Sequence, residues 1–168
     1  MIFIIGFMGT GKSAVSRSLS KNYGLTLVDS DEYIERREGK SIPDIFAESG
    51  EDGFRAIETD CLREISSKEY DIVSCGGGIV LRPENIEIMR ANGKVVLLKA
   101  SPETIFERVR HSDNRPVLNG NMNVEFIKKK LSEREPYYSV VNAFEIDTEG
   151  KTPDEIAREI GHFMNQKA

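Results

Sequence analysis

The sequence predicts an α/β protein built around a parallel sheet, and three features predict it. Short apolar runs alternate with longer amphipathic segments. Those runs are apolar almost throughout, as in strands covered on both faces. The first of them, Ile2 to Ile5, leads directly into a glycine-rich turn followed by a helical pattern. At 168 residues, a single domain spanning 1–168 with a substantial core is expected.

Strands are predicted at residues 2–5, 25–28, 71–74, 94–98 and 143–146. After the first, Val15 and Leu19 mark one face of a helix. Ser101-Pro102 offers an N-cap followed by proline at the first helical position, with Ile105, Phe106 and Val109 as its apolar stripe. Thr152-Pro153-Asp154-Glu155 reads as a capping box, ahead of Ile156, Ile160, Phe163 and Met164 on one side. Two stretches interrupt the alternation. Residues 31–68 insert helical segments between the second and third strands. Residues 110–122 are polar, turn-rich and without period, the composition of a functional or mobile loop.

With a net charge of −5 and no block of arginine or lysine, nucleic-acid binding is not expected. No run approaches the roughly 18 apolar residues of a membrane helix. The start lacks a basic leader with a small-residue cleavage site. Cys61 and Cys75 fit neither a metal-ligand spacing nor a disulfide framework. These features predict a cytoplasmic protein with no membrane or nucleic-acid partner.

Gly6-x4-Gly11-Lys12-Ser13 satisfies the phosphate-loop pattern, and a strand before it and a helix after it supply the required context. Glycines let backbone N–H groups turn inward around an anion, and the helix N-terminus adds its dipole. Lys12 would reach the β- and γ-phosphates and Ser13 would coordinate Mg²⁺. The pattern implies a nucleoside triphosphate but leaves its acceptor open.

The remaining signals are weak one by one. Asp29-Ser30-Asp31 follows the second strand, where ligands collect in open α/β sheets, and on an extended segment both aspartates would point the same way. An N-cap plus a solvated acid explains the pair equally well. Arg55 and Glu58 lie one helical turn apart, a spacing that usually signifies a surface ion pair. Gly76-Gly77-Gly78 after the third strand exceeds what a tight turn needs and suggests close approach by a ligand. Arg115 sits in the irregular loop, where it could neutralise a triphosphate or simply be solvated. Arg134-Glu135-Pro136-Tyr137-Tyr138 reads as the end of a helix. His111 and His162 have no metal-type partners nearby.

Taken together and in order, Gly6–Ser13, Asp29-Ser30-Asp31, Phe54-Arg55-Ala56-Ile57-Glu58, Gly76-Gly77-Gly78, Arg115-Pro116-Val117-Leu118 and Arg134 resemble the shikimate kinases over nearly the whole chain. The resemblance implies a nucleoside-monophosphate-kinase-like three-layer α/β/α fold with a five-stranded parallel sheet in the order 2-3-1-4-5. It implies ATP-dependent phosphorylation of the 3-hydroxyl of shikimate, a step of chorismate and aromatic amino-acid biosynthesis, by a monomer using Mg²⁺. Lys12, Asp31 and Arg115 would be catalytic, with Asp31 contacting the shikimate hydroxyls as general base. Gly9, Thr10, Gly11, Lys12, Ser13, Ala14, Arg108, Arg110, Arg115 and Pro153 would meet ATP, with Arg108 or Arg110 against adenine. Arg55 and Arg134 would clamp the substrate carboxylate, Gly76, Gly77 and Gly78 would lie against the ring, and Glu58 would orient Arg55. Ser13 and Asp29 would serve the metal. Residues 31–68 would be the substrate-binding insertion and 110–122 a closing lid. The rival readings are another small-metabolite kinase, such as a gluconate kinase or a nucleoside-monophosphate kinase, and a protein that uses ATP as a switch. The second clamping arginine and the triple glycine favour shikimate.

Overall fold

Each of the five apolar runs forms a strand in the computed structural model, which describes residues 1–110 and 123–165. The strands are β1 (Ile2–Gly6), β2 (Leu27–Asp29), β3 (Ile72–Ser74), β4 (Lys94–Lys99) and β5 (Phe144–Asp147). They pair in parallel in the order β2-β3-β1-β4-β5. The second strand starts two residues later than predicted. Thr26 gives its N–H and its hydroxyl to Asp71 Oδ2, at 2.8 and 2.7 Å, and so closes the sheet end with a side chain.

Among the described residues, six α-helices connect the strands, α1 (Lys12–Tyr23), α2 (Ser30–Glu38), α3 (Ile42–Ser66), α4 (Pro83–Asn92), α5 (Pro102–Val109) and α6 (Val124–Val141), and a seventh, α7 (Pro153–Asn165), follows the last strand. Alternation along β1 explains the layers. Ile2 and Ile4 pack with Val15 and Leu19 of α1 and with Ile156 and Ile160 of α7. Phe3 and Ile5 face the other way, into a core with Leu62 and Ile65 of α3, Met89 of α4 and Tyr138 of α6. Both sheet faces are therefore covered, as the near-continuous apolar runs suggest.

The helix caps form as expected. Ser101 Oγ accepts from Thr104 N, while Thr152 and Glu155 cap each other reciprocally. Two helices have features that bear on the site and core. α3 is broken at Gly50, whose φ of 67° and ψ of −175° split it into two helical pieces. α6 runs through Pro136 and past the expected end at Tyr138 to Val141, because Tyr138 and Val141 are buried in the core beneath it. Their burial offsets the single backbone bond that proline removes.

β1 lies where the chain's connections leave to opposite sides of the sheet, toward β2 on one side and β4 on the other. Ligands in open α/β sheets bind at the carboxyl ends of strands at such a point. The glycine-rich turn after Gly6 occupies it.

Candidate active site

The phosphate loop is shaped by its glycines. Gly9 and Gly11 adopt φ of 79° and 94°, a region that side chains with a Cβ rarely enter. Thr10 Oγ1 is buried and donates to Phe7 O at 2.7 Å, holding the loop closed. Gly11 caps α1 without any side chain, and the first turn contains no acid. That leaves the dipole and its N–H groups for an external anion. Lys12 reaches back across the loop, donating to Gly6 O at 2.9 Å and Phe7 O at 3.1 Å.

Beside the loop is a cavity of about 150 Å³ lined by Asp31, Arg55, Glu58, Gly76, Gly77, Gly78 and Arg134. Residues from four separate segments, α2, α3, the turn after β3 and α6, thus meet at one place. Arg55 and Glu58 are no surface pair. Their side chains are 13% and 1% exposed, and Arg55 Nη1 donates to Glu58 Oε2 at 2.8 Å. Burial raises the Glu58 carboxyl above its ordinary range, the Arg55 guanidinium opposes this, and the nearby Asp31 charge adds to it. Arg55 Nε is buried without a protein partner, a charged donor with capacity left in the cavity wall. Arg134 lies over the Phe7 ring, 4.8 Å from its centroid, and donates to Gly77 O at 2.6 Å.

Close approach explains two of the three glycines. A Cβ on Gly76 would stand 2.5 Å from Asp31 Oδ1 and 3.3 Å from Glu58 Oε1, and one on Gly78 would stand 2.6 Å from Arg55 Cζ. Gly77 has more room, with Met8 N at 3.5 Å from the same position.

Asp29 and Asp31 do not share one extended face. Asp29 ends β2 and caps α2, its Oδ1 accepting from Asp31 N at 3.0 Å and Glu32 N at 3.3 Å. Asp31 is therefore already helical, and the turn of about 100° per residue sends the carboxylates apart. Asp31 lines the cavity above. Asp29 lines another, of about 220 Å³, together with Ser13, Ser16, Arg17 and Ser74. Both cap bonds fall on Oδ1, and Oδ2 takes neither. Ser13 and Asp29 across one cavity suit a hard cation that retains waters and binds phosphate oxygens. No cluster of three or more metal-type side chains exists among the described residues, and such a cation does not need one.

A third cavity, of about 250 Å³, opens on the far side of the loop between Thr10, Gly11, Ala14, Arg108, Thr148 and Pro153. Arg108 crosses it, with Nη1 donating to Gly9 O at 3.2 Å and to Thr148 Oγ1 at 3.1 Å. Of the two candidate arginines, only Arg108 lines it. Arg110, at the C-terminal cap of α5, instead pairs with Glu107, 2.9 Å away in the last turn of that helix. Arg115 and nearly all of the proposed lid, 110–122, lie outside the described residues.

Met8, Ile42, Phe46 and Phe54 also line the first cavity, and the sequence reading missed this wall. Phe46 and Phe54 stack with centroids 4.5 Å apart, one from each piece of the broken α3. Cys75, next to the glycines, is buried, and burial pushes its thiol far up, out of the reactive range. His162 is exposed, with Nδ1 2.8 Å from Arg158 O.

The family model described as "Shikimate kinase" matches residues 8–165. A shikimate kinase of Thermodesulfovibrio yellowstonii is 43% identical over 159 residues, covering 95% of this chain and 91% of that protein. The structure of a shikimate kinase from Acinetobacter baumannii in complex with shikimate superimposes with a TM-score of 0.91 at 33% identity, covering 99% of this chain and 94% of that one. A gluconokinase from Sinorhizobium meliloti reaches a TM-score of 0.62 at 18% identity, over 98% of this chain and 97% of that one, a likeness of fold alone.

Proposed function

The chain belongs to the shikimate kinase family, and from that premise we propose how its residues divide the transfer of a phosphoryl group from ATP to the 3-hydroxyl of shikimate. The carrying observation is that Asp31, Arg55, Arg134 and the three glycines line one small cavity beside the phosphate loop.

Shikimate presents one carboxylate and three hydroxyls. A guanidinium matches a carboxylate with two parallel hydrogen bonds, and a carboxylate side chain accepts from hydroxyls. Arg55, held by Glu58, and Arg134, held by Gly77 O, clamp the substrate carboxylate. Asp31 accepts the proton of the attacking hydroxyl. The hydroxyl oxygen bonds to the γ-phosphorus, the bond from that phosphorus to the β,γ-bridging oxygen breaks, and ADP leaves with the electron pair. Lys12 holds the phosphates, and Gly9, Thr10, Gly11 and Ser13 surround them. Arg108 and Pro153 flank the base, with Ala14 beneath. Ser13 and Asp29 hold Mg²⁺, whose chemistry there is to offset charge on the triphosphate. Arg115 and the 110–122 lid enter by family resemblance alone, as does a role for Arg110. The reading extends to a single domain over 1–168, with 31–68 as the substrate-binding insertion. It further describes a cytoplasmic monomer, for which sedimentation gives the mass. No helix among the described residues is long and apolar enough to cross a membrane.

The test is ADP release with ATP and Mg²⁺, run with shikimate, gluconate, nucleoside monophosphates and no acceptor. Release that requires shikimate, with phosphate recovered on the 3-hydroxyl, is expected. Release with another acceptor would keep the donor site and overturn the clamp. Binding of ATP without acceptor-dependent turnover would favour a switch.

A further inference from the structure

We propose that Ser30 is a positioning residue: its buried hydroxyl holds the glycine loop against Asp31 and so sets the width of the acceptor cavity. This rests on the assignment of that cavity to shikimate.

β2 and β3 pair in parallel as far as Asp29 and Ser74. Beyond that pair β2 turns into α2, while the other chain runs on through Cys75, whose N–H still finds Ile4 O at 3.0 Å. Gly76 is one residue further, and Ser30 Oγ accepts its N–H at 2.9 Å. Ser30 and Gly76 are both buried, so this amide has no water to turn to. A side chain thereby extends the β2–β3 pairing by one bond past the end of the strands.

The same glycine is confined from its other side. Asp31 Oδ1 and Glu58 Oε1 face its Cα so closely that a methyl group would not fit beside Asp31. Neighbours in sequence, Ser30 and Asp31, therefore grip one backbone position from two directions. The first turn of α2 is registered on the loop that also presents Gly77 O to Arg134 and packs Gly78 against Arg55. Without the hydroxyl, the buried amide must move to find another acceptor, and the three anchors of the cavity move with it.

The experiment compares Ser30→Ala and Ser30→Thr with the wild type by steady-state kinetics in both substrates. Ser30→Ala is expected to raise KM for shikimate about tenfold and lower kcat severalfold, with KM for ATP within about twofold of wild type. Ser30→Thr retains the oxygen and is expected to restore KM for shikimate. An unchanged KM for shikimate in Ser30→Ala, or equal losses in both variants, would overturn the proposal. Should Ser30→Ala not fold, hydrogen exchange at the Gly76 amide of the wild type decides. Slow exchange is expected, and exchange at the rate of an open loop would overturn the contact. Wild type lacking any dependence on shikimate would instead refute the acceptor assignment, with the Gly76 exchange still deciding the role of Ser30.

Discussion

Arg55 Nη1 and Glu58 Oε2 lie 2.8 Å apart one helical turn from each other, and the carboxylate is almost wholly withdrawn from water. Because burial raises the folded-state pKa of Glu58 above 4.5, the folded protein holds that proton more tightly than the unfolded chain. Its contribution to stability is full below about pH 4.5 and is lost as pH rises through the folded value. Denaturant unfolding of wild type and Glu58→Gln from pH 4 to 8 should therefore show the wild type losing ground to the variant as pH rises. A constant difference would mean that Glu58 titrates as it does in the unfolded chain. The same variant should raise KM for shikimate about tenfold, since Arg55 loses its charged anchor.

Gly78 stands where any Cβ would collide with the Arg55 guanidinium. Gly78→Ala should displace Arg55 and raise KM for shikimate by about tenfold or more, leaving KM for ATP within about twofold. Equal losses toward both substrates would point to general damage to the fold.

The two aspartates should fail differently, because they line different cavities. Asp31→Asn should lower kcat by about 10² or more while ATP still binds. Asp29→Asn preserves the helix cap, since asparagine caps as well as aspartate. It should leave KM for shikimate in place and raise the Mg²⁺ concentration needed for half-maximal activity. Identical kinetic signatures for the two variants would contradict the separation.

Arg108 bridges Gly9 O and Thr148 across the third cavity. Arg108→Ala should raise KM for ATP about tenfold without moving KM for shikimate. Arg110→Ala, with its partner on the same exposed helix face, should change either constant by less than about twofold. The reverse order would exchange their roles.

How far the sequence alone reached differed between fold and site. All five strands and both capping motifs were legible, because near-continuous apolar runs and Ser-Pro or Thr-Pro starts are local signals. The orientation of Asp31 was not. Of the two readings of Asp29-Ser30-Asp31, the N-cap held for Asp29, which begins a helix at the next residue, and the shared extended face did not. The wall of Ile42, Phe46 and Phe54 was also hidden, since apolar residues at helical spacing ordinarily denote core. Phe46 and Phe54 line the cavity from either side of the break at Gly50. Ser49-Gly50 is a helix-stop signal in its own right, and it was there to be read. The last turn of α6, from Tyr138 to Val141, was likewise hidden, because nothing local reveals that Val141 will be buried.

The most direct test of the clamp is calorimetric binding of shikimate and of its uncharged analogue, the carboxylate replaced by a hydroxymethyl group, to wild type, Arg55→Ala and Arg134→Ala. Wild type should prefer shikimate by about 2–5 kcal/mol, the range for a desolvated charge pair, and each variant should lose a large part of that preference. Full retention of the preference in both variants would contradict the carboxylate clamp on which the account rests.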